Sequence, residues 1–316
     1  MKKIIAILLV ALLLLGVAGC GTPAEDGKFH VICTVFPQYD WVRNIIGEDS
    51  NIKLSLLMDS GADLHNYQTN ANDLYAISTC DLFLYVGGDS DKWVADALKN
   101  PANKDRKSLA LIDVIDPIES EHEHEGEAHE EGHEEHHHTA DEHVWLSLRN
   151  ADIMIAEITE LLAALDPENA DTFRKNAEAY SAKLLELDRK YIECVGGGKR
   201  NKLLFADRFP FSYMAKDYGL EHAAAFSGCS AEVEVSFSTL ATLIDYVNKN
   251  ALPYVMVTES GDQELAKAVI AKTNTKDQKI LVMDSLQSVN RVRINEGATY
   301  LGIMESNLAV LQQALY

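Results

Sequence analysis

Two kinds of residue in this chain could hold a metal ion. The first is a tract. Between Ile118 and Leu148 the sequence runs ESEHEHEGEAHEEGHEEHHHTADEHVWL, with His122, His124, His129, His133, His136, His137 and His138 interleaved with acidic residues. Eleven carboxylates lie from Glu119 to Glu142, and no Lys or Arg interrupts them. Such a stretch cannot bury a core and reads as a solvated loop. Neutral imidazole and carboxylate together suit borderline divalent cations, zinc above all. The second kind is scattered: His65 in MDSGADLHNY, His143 in DEHVWL, the pair Asp207-Arg208, Glu259, and Asp284 in VMDSL. These resemble parts of a shaped site, whereas the tract resembles a collector of low specificity. His143 stands at the junction of the two.

The elements that must position the scattered residues alternate. Strand-like runs at His30–Val35, Ile52–Met58, Asp81–Val86 and Leu109–Ile112 are separated by helix-like runs at Tyr39–Ile46, Asp73–Ser78 and Lys92–Leu98. After the tract, Asn150 is the expected cap of a helix running to Leu165. Asp166-Pro167-Glu168 then reads as the opening of a long helix. Phe173, Ala177, Tyr180, Leu184, Leu187 and Tyr191 recur along it at steps of four and three, an apolar stripe that ends at Gly196-Gly197-Gly198. The second half repeats the first. It has strand-like runs at Leu203–Ala206, His222–Phe226, Tyr254–Val257 and Ile280–Met283, and helix-like runs at Ser212–Tyr218, Phe237–Asn248, Gln263–Lys272 and Thr299–Leu315.

The expected fold class is therefore α/β: two (β/α) lobes with mostly parallel sheets, joined by one long rigid helix, with the metal cleft between them. The expected division is 1–20 as a signal peptide, 21–29 as a tether, 30–165 as the N-terminal lobe with the loop 119–142, 166–195 as the linker helix and 199–316 as the C-terminal lobe. Each scattered candidate follows a strand-like run or the tract. That places two imidazoles from the first lobe opposite carboxylates from the second.

Composition narrows the function classes. The formal charge is −21, of which the tract accounts for about half. This balance lacks the basic footprint that nucleic acid requires and suits cations. No GxGxxG opens a helix and no GxxxxGK[ST] occurs, so no nucleotide site is signalled. At the N-terminus, Lys2 and Lys3 precede an apolar run from Ile4 to Leu15, then Gly16-Val17-Ala18-Gly19-Cys20. The run is too short to span a membrane and reads as a signal peptide. Cys33, Cys80, Cys194 and Cys229 remain, and an extracytoplasmic setting permits a disulfide among them. No CxxC or paired Cys/His spacing marks a thiolate zinc site.

Several segments carry a family resemblance. Ala18-Gly19-Cys20 resembles a bacterial lipobox, which implies cleavage before Cys20 and lipidation of its sulfur. GADLHNYQTNANDLYAISTCDLFLYVGG resembles the first-ligand segment of the zinc/manganese cluster of metal-binding solute receptors of ABC transporters. DEHVWLSL, YMAKDYGL, CSAEVEVS and VMDSL resemble later segments of the same family, in order, and a His-rich acidic insertion before the second is typical of its zinc-binding members. The resemblance implies two lobes joined by a rigid helix, with metal in the cleft. It also implies that His65 and His143 are the first two ligands, Asp284 the carboxylate ligand, and Glu259 an acidic residue lining the pocket.

The chain departs from the family at the third ligand, which falls on Arg208. Guanidinium has no acceptor and cannot bind metal. Asp207 or Glu259 is then the replacement, or Arg208 pairs with a carboxylate and the metal keeps a water.

The expected function is capture of Zn²⁺ outside the cell membrane and delivery to an ABC permease, by a monomeric lipoprotein anchored through Cys20. No catalysis is expected. The alternatives are a Mn²⁺ receptor of the same type, a surface metal buffer or adhesin working through the tract, and a zinc hydrolase, against which stands the absence of HExxH.

Overall fold

A computed structural model describes residues 28–48, 50–119, 140–228 and 235–316. Cys20, the seven histidines from His122 to His138, and Cys229 lie outside the described residues. Among the described residues, no helix is long and apolar enough to cross a membrane.

The chain folds around two four-stranded parallel sheets. The first contains β1 (Phe29–Cys33), β2 (Ile52–Leu56), β3 (Leu82–Tyr85) and β4 (Lys107–Ala110), in the order β2-β1-β3-β4. The second contains β5 (Lys202–Phe209), β6 (Glu221–Ser227), β7 (Tyr254–Thr258) and β8 (Lys279–Met283), in the order β6-β5-β7-β8. The two orders are equivalent, so each sheet has a switch point beside its first strand. The crevice at the carboxyl ends of the strands there is where open α/β sheets bind ligands. Helices cover both sheets, as parallel strands with near-continuous apolar runs require.

Helices α1 (Phe36–Ile46), α2 (Ala71–Thr79) and α3 (Val94–Leu98) belong to the first half, and α4 (Leu148–Leu165) leads to α5 (Ala170–Gly197). Helix α5 has 28 residues, about 42 Å at 1.5 Å per residue. Its buried face consists of the six stripe residues and Cys194. It packs along α4 and α1, so the joining helix is a supported spine rather than a bare strut. Helices α6 (Ser212–Tyr218), α7 (Phe237–Asn250), α8 (Glu264–Lys272), α9 (Arg291–Asn295) and α10 (Tyr300–Leu315) follow.

Local chemistry moves several boundaries from their expected places. Pro37 sits in the first turn of α1, where its missing N–H costs nothing, so the helix starts at Phe36 rather than Tyr39. The cap of α4 is Ser147, whose hydroxyl accepts from the Asn150 N–H, rather than Asn150. Helix α5 opens at Ala170, because residues 166–169 form the turn out of α4. Strand β4 ends at Ala110 and the chain passes into a 3-10 turn at Leu111–Val114. Strand β5 runs on through Phe209, with a register shift against β6 between Phe205 and Arg208. Asp207 and Arg208 thus lie within an irregular strand rather than after it, and such a bulge re-aims side chains. Cys33, Cys80 and Cys194 are free and buried.

The largest apolar cluster is continuous through both halves. Tyr300 at the start of α10 ties them together. Its N–H donates to Asp40 Oδ2 at 2.8 Å, its hydroxyl donates to the Trp145 carbonyl at 2.6 Å, and its ring meets Trp41 edge-on at 5.2 Å. Trp145 Nε1 in turn donates to the Ser285 carbonyl at 2.9 Å. All three rings are fully buried. Tyr300→Phe removes one buried donor and should lower unfolding free energy by about 1–2 kcal/mol, read as a lower urea midpoint with an unchanged slope.

Candidate metal centre

His65 stands in a 3-10 turn, Leu64–Asn66, beyond β2. Asp63 caps that turn, accepting the His65 N–H at 2.9 Å. His143 directly precedes another 3-10 turn, Val144–Leu146, and is completely buried. Asp141 Oδ1 accepts from both the His143 N–H, at 2.9 Å, and its Nδ1, at 2.8 Å. Asp141 is held in turn by the rest of its own backbone. Its N–H donates to the Ile118 carbonyl, and its carbonyl accepts from the Tyr213 hydroxyl at 2.8 Å. Glu119 and Ala140 form an antiparallel bridge, so the two ends of the His-rich tract meet beside this residue.

The outer edge of His65 is held as well. Its Nδ1 lies 2.6 Å from Ser90 Oγ and 3.5 Å from Glu142 Oε2. Glu142 Oε1 accepts the Ser90 N–H at 2.7 Å. Asp91 folds the loop that carries Ser90 by accepting the N–H groups of Val86 and Gly87, each at 2.9 Å. Gly88 has φ +89°, and a Cβ there would lie 2.5 Å from Glu142 Oε1. Only glycine leaves room for that carboxylate.

With both Nδ1 atoms engaged outward, the two Nε2 atoms face each other, 3.4 Å apart. Zinc–imidazole bonds of about 2.0–2.1 Å at a tetrahedral angle hold their nitrogens roughly 3.3–3.4 Å apart. The pair therefore has the spacing of two ligands on one tetrahedral ion. The Asp141 carboxylate accepts from His143 Nδ1–H and so sets the tautomer in which Nε2 is an acceptor, while the Ser90 hydroxyl orients the His65 ring.

Burial governs the electrostatics. It lowers the His65 pKa to about 4, assisted by His143 and Arg208 and opposed by Asp63 and Asp141. Burial works against ionised Asp141, yet the His143 contacts prevail and hold it below the usual carboxylate value. Burial raises Glu142, and raises Asp91 to about 6.

The other expected site residues are committed elsewhere. Asp207 Oδ2 accepts from the Thr258 N–H and hydroxyl at 2.9 and 2.6 Å, pinning the end of β5 to the end of β7. Glu259 accepts from the N–H and hydroxyl of Ser285 and from the Ser288 hydroxyl, and burial together with the nearby Asp284 raises its pKa. Asp284 accepts from Arg293 at 2.6 Å and from the Leu286 N–H at 2.8 Å. Arg208 Nη1 stands 3.8 Å from Asp63 Oδ2, across the junction of the two halves. Among the described residues, no three of His, Cys, Asp or Glu gather closely enough to hold a metal ion. The structure brings together His65 and His143, and separately Glu259 and Asp284.

Sequence reasoning missed Ser90, Asp141, Glu142 and Asp63 as supports of the imidazoles. Two carboxylates directly before His143 were a visible signal for two of them. Ser90 had none, because its role depends on the fold of the loop after β3.

Residues 31–314 match the family described as ZnuA, zinc-uptake complex component A periplasmic. The chain is 33% identical over 314 residues to the zinc-binding lipoprotein AdcA of Streptococcus pneumoniae (strain ATCC BAA-255 / R6), covering 99% of this chain and 61% of that protein. The chain thus spans about three-fifths of the length of such relatives. It is 29% identical over 322 residues to the high-affinity zinc uptake system protein ZnuA of Bacillus subtilis (strain 168), covering 99% and 98%. Among solved structures, the Zn(II)-bound ZnuA-like domain of Streptococcus pneumoniae AdcA aligns with a TM-score of 0.73 at 29% identity, over 92% of this chain and 99% of that one.

The lowered His65 pKa has a consequence for the metal-free protein. Between about pH 6.5 and 4 the unfolded chain protonates this imidazole and the folded one does not, so stability falls as pH drops through that window. The full effect is about 3 kcal/mol. Urea unfolding at a series of pH values should show this slope, and His65→Gln should flatten it.

Proposed function

The chain belongs to the ZnuA family, and from that premise we propose that it is an extracytoplasmic receptor that captures Zn²⁺ and passes it to an ABC permease for uptake. The observation that carries the reading is the 3.4 Å separation of the Nε2 atoms of buried His143 and half-buried His65, whose rings are each fixed from behind. Neutral imidazoles at this spacing favour zinc over manganese, which prefers harder oxygen donors. His65 and His143 are the ligands in this reading. Asp284 is the carboxylate ligand, released from Arg293 when metal arrives. Glu259 stays with Ser285 and Ser288 as a support for the Asp284 loop. Asp207 serves as the pin between β5 and β7.

The His-rich tract gathers metal at the mouth of the site, since its ends are bridged at Glu119 and Ala140 beside Asp141 and His143. This raises the local metal concentration without adding contacts to the final site. Relatives carry the name lipoprotein, and in keeping with them Cys20 is the residue we assign to the lipid anchor. The protein acts as a monomer and transfers its cargo without chemical conversion, so no general base or nucleophile is assigned.

The test is zinc titration by competition with a chelator of known affinity. His65→Ala or His143→Ala should abolish the tight site, whereas deletion of residues 119–140 should leave one tight site in place. Retained nanomolar affinity in both histidine variants would refute the assignment. Asp141→Asn, which keeps the shape but removes the charge behind His143, should weaken zinc binding about 10- to 100-fold.

A further inference from the structure

Two imidazoles make up half of a tetrahedral zinc shell. Among the described residues, no third His, Cys, Asp or Glu joins them. Asp207 and Glu259 each have both side-chain oxygens engaged by protein donors, and Asp284, the ligand assigned above, leaves one position of the shell to fill even after it parts from Arg293. Besides the carboxylates of Asp63, Asp141 and Glu142, a cation also acts on His65. Arg208, set in the irregular part of β5, lies 3.8 Å from Asp63 Oδ2, and its charge is felt at the His65 ring. That pair is too long for a hydrogen bond, and Asp63 Oδ1 is already occupied by the His65 N–H. Among the described residues, no hydrogen-bond acceptor occupies the guanidinium's five donors.

Those donors face space. A cavity of about 440 Å³ is lined by Asp63 and Arg208 together with Gly228, Thr258 and Gln287. Gly228 lies between it and His143, because a Cβ there would stand 3.1 Å from His143 Cε1. At roughly 30 Å³ per water, the volume far exceeds the need of a single ion with one or two waters. A bare dication is repelled by Arg208. A planar oxyanion is attracted to both, since the guanidinium fork matches a carboxylate bidentately and zinc accepts a carboxylate oxygen.

We propose that this protein takes its metal together with a small oxygen-donor anion, a carboxylate or carbonate, which ligates the zinc through one oxygen and accepts hydrogen bonds from Arg208 through another. The inference rests on His65 and His143 being zinc ligands. It extends the substrate from a free ion to a metal–anion pair, with Arg208 as the residue that selects it.

The experiment measures zinc affinity of the full chain at fixed free zinc, pH and ionic strength, in chloride, in acetate and in bicarbonate. Acetate or bicarbonate should tighten the wild-type site about tenfold or more, the worth of a charge-assisted hydrogen bond. Arg208→Gln should lose that dependence. In the wild type loaded with Co²⁺, the anion should also change the visible absorption bands, a direct readout of the metal's ligands that holds even if the variant folds poorly. Tight zinc binding that requires His65 but is indifferent to both anions, with unchanged Co²⁺ bands, overturns this inference and leaves the zinc receptor standing. Absence of a tight His65-dependent site under every condition overturns both.

Discussion

Two imidazoles held nose to nose inside a protein are unstable unless something separates or joins them. His65 and His143 turn their Nε2 atoms toward one another, and burial opposes protonation of His65. A proton on one Nε2 joins them as a neutral hydrogen bond when the Ser90 hydroxyl donates to His65 Nδ1. A dication joins them at the same spacing and brings its own ligands. Nearly every local feature nearby can be traced to maintaining this arrangement: Asp141 behind one ring, Ser90 and Glu142 behind the other, Asp91 folding the Ser90 loop, and a glycine at position 88 because the Glu142 carboxylate fills the space a side chain would need.

The scaffold keeps those supports in register. Both sheets have the same strand order, so each lobe offers a crevice at the same topological place. The lobes are not independent bodies meeting at a thin neck. Tyr300, Trp145 and Trp41 interlock their buried ends, and the apolar core continues across. A movement that parted the lobes would therefore have to work against, or around, a shared core. Changes confined to the loops at the cleft leave that core undisturbed and are physically cheaper than separating the lobes.

Charge organises the second half of the site differently from the first. In the first half, carboxylates serve neutral rings. In the second, Asp207 and Glu259 are tied to hydroxyls and backbone N–H groups and hold strand ends and loops in place, and Asp284 is matched to Arg293. Arg208 is the exception, a cation with loose pairing in a protein of formal charge −21.

The sequence by itself determined the α/β class and the apolar stripe of the joining helix, and it singled out the two histidines that the fold brings within 3.4 Å of each other. Each of these follows from local pattern: alternating apolar runs, steps of three and four, a histidine beside an apolar run. Only the tertiary structure decided what stands behind each ring, that Asp207 and Arg208 sit within a bulged strand, and that the carboxylates of the second half are already engaged. Those facts depend on which loops meet across the sheets. Ser90 reaches His65 from 25 positions away and Thr258 reaches Asp207 from 51. No periodicity along the chain encodes such a meeting; it exists only once parallel strands have been laid side by side.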